Sequence, residues 1–182
     1  MSRLLFTFSF LIISLTVISQ KYKPVDAGSK VHFVIKNFGI ETGGDLSGFA
    51  GNINFTPASI TASNFDVTVS VKTIDTDNEM RDTDLKKKKY FDADTYPVIE
   101  IKSTKVDRTN KTASGWYYFT GTLTMHGVTK PIAFPFSATA KGTDYLFVGG
   151  FTINRLDYGV GNSSAVLSNT VKISLSVLAK KS

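Results

Sequence analysis

Only two histidines, His32 and His126, stand in the 182 residues, and there is no cysteine. Two imidazoles exclude a three-histidine zinc site, and the missing thiol removes cysteine nucleophiles, thiolate ligands and disulfides. Neither histidine is bracketed by carboxylates at a ligand spacing. His126 falls in Thr124-Met125-His126-Gly127-Val128-Thr129, a strand-to-strand turn, where a solvated ring is expected. No Gly-x-Ser-x-Gly elbow occurs, and Gly159-Val160-Gly161 lacks the third glycine and the following helix of a phosphate cradle. Three Asp-x-Asp pairs (Asp75/Asp77, Asp82/Asp84 and Asp92/Asp94) offer oxygens to calcium, but without the glycine and glutamate of an EF-hand loop. Turn and cap duty suits them better, with Asp75 or Asp77 expected as the N-cap of a helix that follows. The strongest charge feature is Lys86-Lys87-Lys88-Lys89. It reads either as the solvated last turn of that helix or as a basic lip attractive to anionic lipid headgroups or a phosphorylated ligand. One four-lysine run does not support nucleic acid as a partner. No complete catalytic set, metal site or cofactor motif emerges from these residues.

The elements that must carry such a site are strands. Val31, Phe33 and Ile35 alternate with polar neighbours, as do Phe49, Gly51, Ile53 and Phe55, and then Phe65, Val67, Val69 and Val71. The same period of two runs through Val98 to Val106, Tyr117 to Met125, Ile132 to Ala138, Tyr145 to Ile153 and Val171 to Val177. About eight antiparallel strands are expected, with turns at Pro57-Ala58-Ser59, Thr109-Asn110-Lys111 and Lys141-Gly142-Thr143. A short helix is expected around Asn78 to Leu85, and Leu156 to Asn169, with no steady period, reads as a long loop. Such a set of strands closes as a barrel or stacks as a two-sheet sandwich. Glycines within the strand patterns, Gly48, Gly51, Gly121, Gly149 and Gly150, mark bends and favour the barrel.

The first 19 residues read as a leader. Arg3 precedes the apolar stretch Leu4 to Ile18, which is shorter than the about 20 residues a bilayer span needs. Val17 and Ser19 suit cleavage before Gln20, which gives a signal peptide over 1–19 and one domain over 20–182. The expected location is periplasmic or secreted. Loss of Arg3 lowers the net charge of +6 by one. A charged fraction of 20% with 12% aromatic residues excludes a disordered chain.

Five segments in order resemble the YceI-like family of bacterial envelope proteins. They are Ser29 to Lys36; Gly48-Phe49-Ala50-Gly51-Asn52-Ile53; Arg81-Asp82-Thr83-Asp84-Leu85 with Tyr90-Phe91-Asp92 and Tyr96-Pro97; Gly121 to Pro131; and Ile153-Asn154-Arg155-Leu156-Asp157-Tyr158-Gly159. The resemblance implies an all-β, extended, lipocalin-like antiparallel barrel around an apolar tunnel. It also implies a long-chain ligand (a polyisoprenoid, an isoprenoid quinone or a fatty amide) held without metal or redox cofactor. Strand alternation then nominates Phe33, Ile35, Phe49, Ile53, Phe55, Phe65, Val67, Phe119, Leu123, Phe134, Phe136 and Phe151 for the tunnel or its packed ends. Arg81, Asp82, Asn154, Arg155 and Asp157 match the family pattern. Two roles stay open for them: buried Arg–Asp pairs that fasten the helix and the loop to the barrel, or contact with a ligand headgroup. The chain departs from the pattern at Asp84 and at Lys36-Asn37-Phe38-Gly39, where many relatives carry histidine. An enzyme acting on a lipid or quinone headgroup is the rival reading, with Arg155 and Asp157, or Asp82 and Asp84, as its acid–base groups. Transient contact with an anionic membrane surface is a further expectation, and a homodimer is left open.

Overall fold

Period-two alternation becomes a strand wherever one face can be covered, and here the covering comes from the sheet closing on itself. The computed structural model describes residues 20–108 and 114–182. The leader expected over 1–19 and the turn at Thr109-Asn110-Lys111 lie outside the described residues. Among the described residues ten strands form one antiparallel sheet: β1 (Lys21–Pro24), β2 (Lys30–Asn37), β3 (Ile40–Leu46), β4 (Ala50–Asn54), β5 (Asn64–Ser70), β6 (Val98–Asp107), β7 (Trp116–Met125), β8 (Val128–Lys141), β9 (Asp144–Asn154) and β10 (Leu167–Lys181). Their spatial order is β1-β4-β5-β6-β7-β8-β9-β10-β2-β3, and β1 also pairs with β10. Eight strands therefore form a closed ring, with β2 and β3 as an added hairpin.

The eight alternating segments of the sequence correspond to eight of these strands. The two extra ones lack the signal. β1 is four residues long, and Ile40-Glu41-Thr42-Gly43-Gly44-Asp45-Leu46 has two glycines and no alternation. β3 is a strand because a two-residue turn, Phe38-Gly39, folds it back on β2 from Asn37↔Ile40 to Val31↔Leu46.

β10 is the long staple of the barrel. One edge pairs with β9 from Thr170 to Ala179, while the other meets β2 along its first part and β1 at Ala179 to Lys181. Where β1 stops, the β2–β3 hairpin continues the wall. Among the described residues β3 has no ladder on its far side, only the bridge in which Asp45 and Asp75 exchange backbone hydrogen bonds of 2.7 and 3.1 Å. Helix α1 (Glu79–Lys86) follows that bridge. Its N-cap is Asn78, whose side chain accepts from the Arg81 N–H at 2.9 Å, rather than Asp75 or Asp77. Asp75 belongs to the bridge, and Asp77 sits at φ 57° in the turn before the cap.

Curvature has local causes. Thr104 is an extra residue in β6, between the pairs Ser103↔Gly121 and Lys105↔Thr120. At that bulge a Cβ on Gly121 would lie 2.1 Å from the Lys102 carbonyl oxygen, so the strands meet only because position 121 has no side chain. The expected loop over Leu156 to Asn169 is shorter than read. Arg155–Tyr158 forms a 3-10 turn closed by Gly159 in the left-handed region, and β10 begins at Leu167.

Candidate ligand cavity

Alternation places the apolar face of every ring strand inward, and depth along the barrel decides what that face does. At one end the rings fill the interior. Phe55 lies edge-on to Tyr117, Tyr145 and Phe147 with centroids 5.3, 5.0 and 5.1 Å away, and Phe65 meets Phe136 and Phe147 at 5.4 and 5.3 Å. Phe119, Phe134 and Phe151 form a stacked series at 4.9 Å per step. Each such pair adds about 0.5–1.5 kcal/mol beyond the area it buries. Ile53, Phe55, Phe65, Phe119, Phe134 and Phe136 are all buried in this plug. They form the closed end of the barrel and do not border its main cavity.

That cavity, of 890 Å³, occupies the other end. Phe33, Ile35, Phe49, Val67, Leu123 and Phe151 line it, together with Ile99 and Ile101 of β6 and Val171, Ile173 and Leu175 of β10. Most of these side chains are half-buried, because they face the cavity and no protein atoms cover them there. Phe151 stacks on Phe134 and also borders the cavity, so it forms the floor between plug and pocket. α1 supplies the polar rim through Asn78, Glu79, Arg81, Thr83, Asp84 and Lys87, with Met80 and Leu85 between them.

The two arginine segments are built as anchors without carboxylate partners among the described residues. Arg81 does not pair with Asp82; both converge on Thr76, which is buried. Arg81 donates from Nε to Thr76 Oγ1 at 2.8 Å and from Nη2 to the Thr76 carbonyl at 2.6 Å. Asp82 Oδ1 accepts from the Thr76 N–H at 3.0 Å and from its hydroxyl. Arg155, only 4% exposed, likewise finds no aspartate. Its Nε donates to the Ser168 carbonyl at 3.0 Å, Nη1 to Val160 at 2.8 Å, and Nη2 to Asn162 at 2.8 Å and to Asn169 Oδ1 at 3.1 Å. One guanidinium thus gathers both ends of the irregular stretch before β10. Burial pushes its pKa below the ordinary arginine value, partly offset by the Tyr90 hydroxyl. The expected Arg–Asp pairs are therefore replaced by arginine–carbonyl and aspartate–threonine bonds, since the chain brings backbone acceptors closer than any carboxylate.

Asn154 and Asp157 stand outside the cavity. The Asn154 side chain accepts from the Leu156 N–H at 3.0 Å and caps the 3-10 turn, while Asp157 is exposed. His126 is half-buried rather than solvated: its Nδ1 lies 3.1 Å from the Tyr158 carbonyl and its ring packs edge-on to Tyr96 at 5.3 Å. His32 pairs on the outer face with Asp45 at 2.6 Å, and Lys30 reaches the same carboxylate at 2.8 Å. Partial burial works to raise the Asp45 carboxyl, but these two partners outweigh it and hold the group below the usual range. Among the described residues no three His, Asp or Glu side chains gather into a group able to hold a metal ion.

A YceI-like domain model matches residues 22–179, which includes part or all of every strand of the ring. The chain belongs to the YceI-like domain family. A UPF0312 protein of Yersinia enterocolitica is 28% identical over 171 residues, covering 89% of this chain and 87% of that protein. BcnA of Burkholderia cenocepacia superposes with a TM-score of 0.77 at 26% identity, covering 84% of this chain and 96% of that one. A polyisoprenoid-binding domain from Saccharophagus degradans shares the fold, with a TM-score of 0.68 at 16% identity over 91% of this chain and all of that one.

Within this YceI-like barrel the departures from the family pattern fall at the cavity rim. Asp84 lines the cavity and pairs with Lys87 at 2.6 Å, so the two partly neutralise each other at the surface. Asn37 also lines it, at the start of the β2–β3 turn. Thr76, Tyr90, Ile173 and Leu175 were not among the nominated site residues. The last two lie on the alternating apolar face of β10, which pointed inward all along. No sequence signal marks Thr76 as a shared anchor.

Proposed function

We propose that this chain is an exported carrier, working in the periplasm or outside the cell, that sequesters one long-chain isoprenoid or a similar lipid in the 890 Å³ cavity. The observation that carries the reading is that cavity: mostly apolar on its strand walls, closed by an aromatic plug, with its polar residues at the helix-covered rim and at Asn37, Thr42, Thr68, Thr76 and Arg155. Its volume falls within the range of about 300–1,000 Å³ typical of small-molecule sites. Removing a few hundred Å² of apolar tail from water at ~25 cal/mol per Å² supplies ample gross driving force, part of which ordering the tail offsets. The Saccharophagus degradans domain of the same fold, described as polyisoprenoid-binding, supports this ligand class. Binding is favoured over headgroup chemistry by placement. Asp157 lies outside the cavity, Asp82 is engaged by Thr76, and the Arg155 donors hold backbone carbonyls.

Mass spectrometry of an organic extract of the purified protein tests the reading, together with titration of polyprenol and quinone probes. A recovered lipid, or a probe that binds and is displaced by Ile173→Trp, is the expected result. No lipid in the extract and no probe binding would remove the carrier function.

A further inference from the structure

We propose that the cavity mouth docks on an anionic lipid bilayer, with the Phe38-Gly39 turn as the inserted tip and nearby lysines as the electrostatic contact. Phe38 and Ile40 are 73% and 71% exposed, an unusual state for two large apolar side chains at one turn. The turn itself is strained. A two-residue hairpin of this kind needs positive φ at both central positions and favours Asn-Gly, yet Phe38 stands at φ 50° ahead of Gly39 at φ 77°. A bulky residue in the left-handed region is disfavoured. Local structure would choose asparagine, so the phenylalanine serves something beyond the turn.

That something lies at the mouth. Asn37 and Thr42, which flank the tip in sequence, line the cavity, as does Leu167. The Phe38 N–H donates to the Val166 carbonyl at 2.9 Å, and Val166 is itself 40% exposed. Met80 on α1, at 80% exposed, also borders the cavity. Four of the exposed apolar residues, Phe38, Ile40, Met80 and Val166, therefore gather near the rim through which a lipid tail must pass. The charges match an anionic surface. Lys36 precedes the tip, and the Lys89 carbonyl accepts from Gly161 of the loop that ends at Val166. Asp84 is taken by Lys87, and Glu41 lies 3.7 Å from Lys172, while Glu79 on the rim opposes the lysines. Lys36, Lys88 and Lys89 have no carboxylate partner among the described residues. A bilayer meets both halves of this surface, because it offers headgroup charge outside and hydrocarbon within a side chain's reach.

The inference rests on the carrier reading, and its test is scored apart from it. The purified protein is cosedimented with phosphatidylcholine vesicles, with and without phosphatidylglycerol, and compared with the double variant Phe38→Asn/Ile40→Thr. Neither residue lines the cavity, so polyprenol binding in detergent serves as the independent control. The wild type should bind the anionic vesicles, weaken by roughly fivefold for each lysine contact screened out by salt, and lose about 30-fold in the double variant if each side chain is half-inserted. The same variant should melt no lower than the wild type, since asparagine relieves the turn. A structural role for Phe38 would instead lower the melting temperature. Equal vesicle binding by variant and wild type would overturn the docking proposal. So would no vesicle binding by a protein that still takes polyprenol, or a concentration-dependent dimer that the double variant abolishes. Failure of polyprenol binding alone would count against the carrier reading and leave the docking result standing.

Discussion

Arg155→Met is the sharpest single perturbation of the site's scaffold. The guanidinium makes four hydrogen bonds, three to backbone carbonyls and one to Asn169 Oδ1, while only 4% exposed. Bonds to a charged donor contribute about 1.5–3 kcal/mol each, and a buried acceptor left alone costs about 1–3 kcal/mol. Against that loss stands the desolvation of an unpaired cation, several kcal/mol, which methionine no longer suffers. The balance is a destabilisation of about 3 kcal/mol. For a chain of this length it lowers Tm by about 9 °C, at ~3 °C per kcal/mol. Urea and thermal unfolding measure the total. Hydrogen exchange localises it, with protection falling first between Val160 and Asn169. Arg155→Lys keeps the charge without the planar fork and should recover less than half of the loss. If Arg155→Met unfolds within about 0.5 kcal/mol of wild type, as a change at an exposed surface site would, the guanidinium does not anchor the loop and the argument fails.

Three further outcomes follow from the geometry. Gly121→Ala drives a Cβ to 2.1 Å from the Lys102 carbonyl oxygen, so the β6–β7 bulge must shift and unfolding free energy should drop by about 3 kcal/mol in urea titration. Asn78→Ala removes the N-cap of α1 and should destabilise by about 1 kcal/mol, with faster exchange confined to residues 79–86. Asp45→Asn tests the outer-face cluster with Lys30 and His32. Because the folded carboxyl is held below its unfolded value, its contribution is fully present above pH about 3.9 and is lost as pH falls through the lower folded value. The stability gap between wild type and Asp45→Asn should therefore close in that acid window; a gap that persists well below it would exclude this cause.

The barrel was legible because sheet closure rewards strict alternation, and eight segments from Val31 to Val177 keep it. β3 was not, since its strand state comes from β2 through the Phe38-Gly39 turn rather than from its own residues. Alternation also sets which face a residue takes but not how deep it lies. Phe65 and Val67 share a face of β5, yet Phe65 belongs to the plug and Val67 borders the main cavity. The motif residues were found, but their partners were not. Arg81 and Asp82 looked like a pair and instead share Thr76, and Asn78 rather than Asp75 or Asp77 caps α1. Adjacent residues of capping type cannot be ranked without knowing that Asp75 is committed to Asp45.

The pairing of β10 with β1 sets the pace at which this molecule can assemble. Closure joins Tyr22 to Lys181 and Lys23 to Lys180, almost the whole described chain apart in sequence. Until those residues meet, the plug has a seam, and Tyr22, Phe55 and Tyr145 lie beside it. Such distant contacts place a β fold among slow folders, on the millisecond-to-second scale, where loop entropy must be overcome before pairing repays it. A chain made from its N-terminus can pair β1 with β4 early, but the other edge of β1 stays open until β10 emerges, so truncation within Ala179 to Lys181 should leave an open sheet prone to self-association.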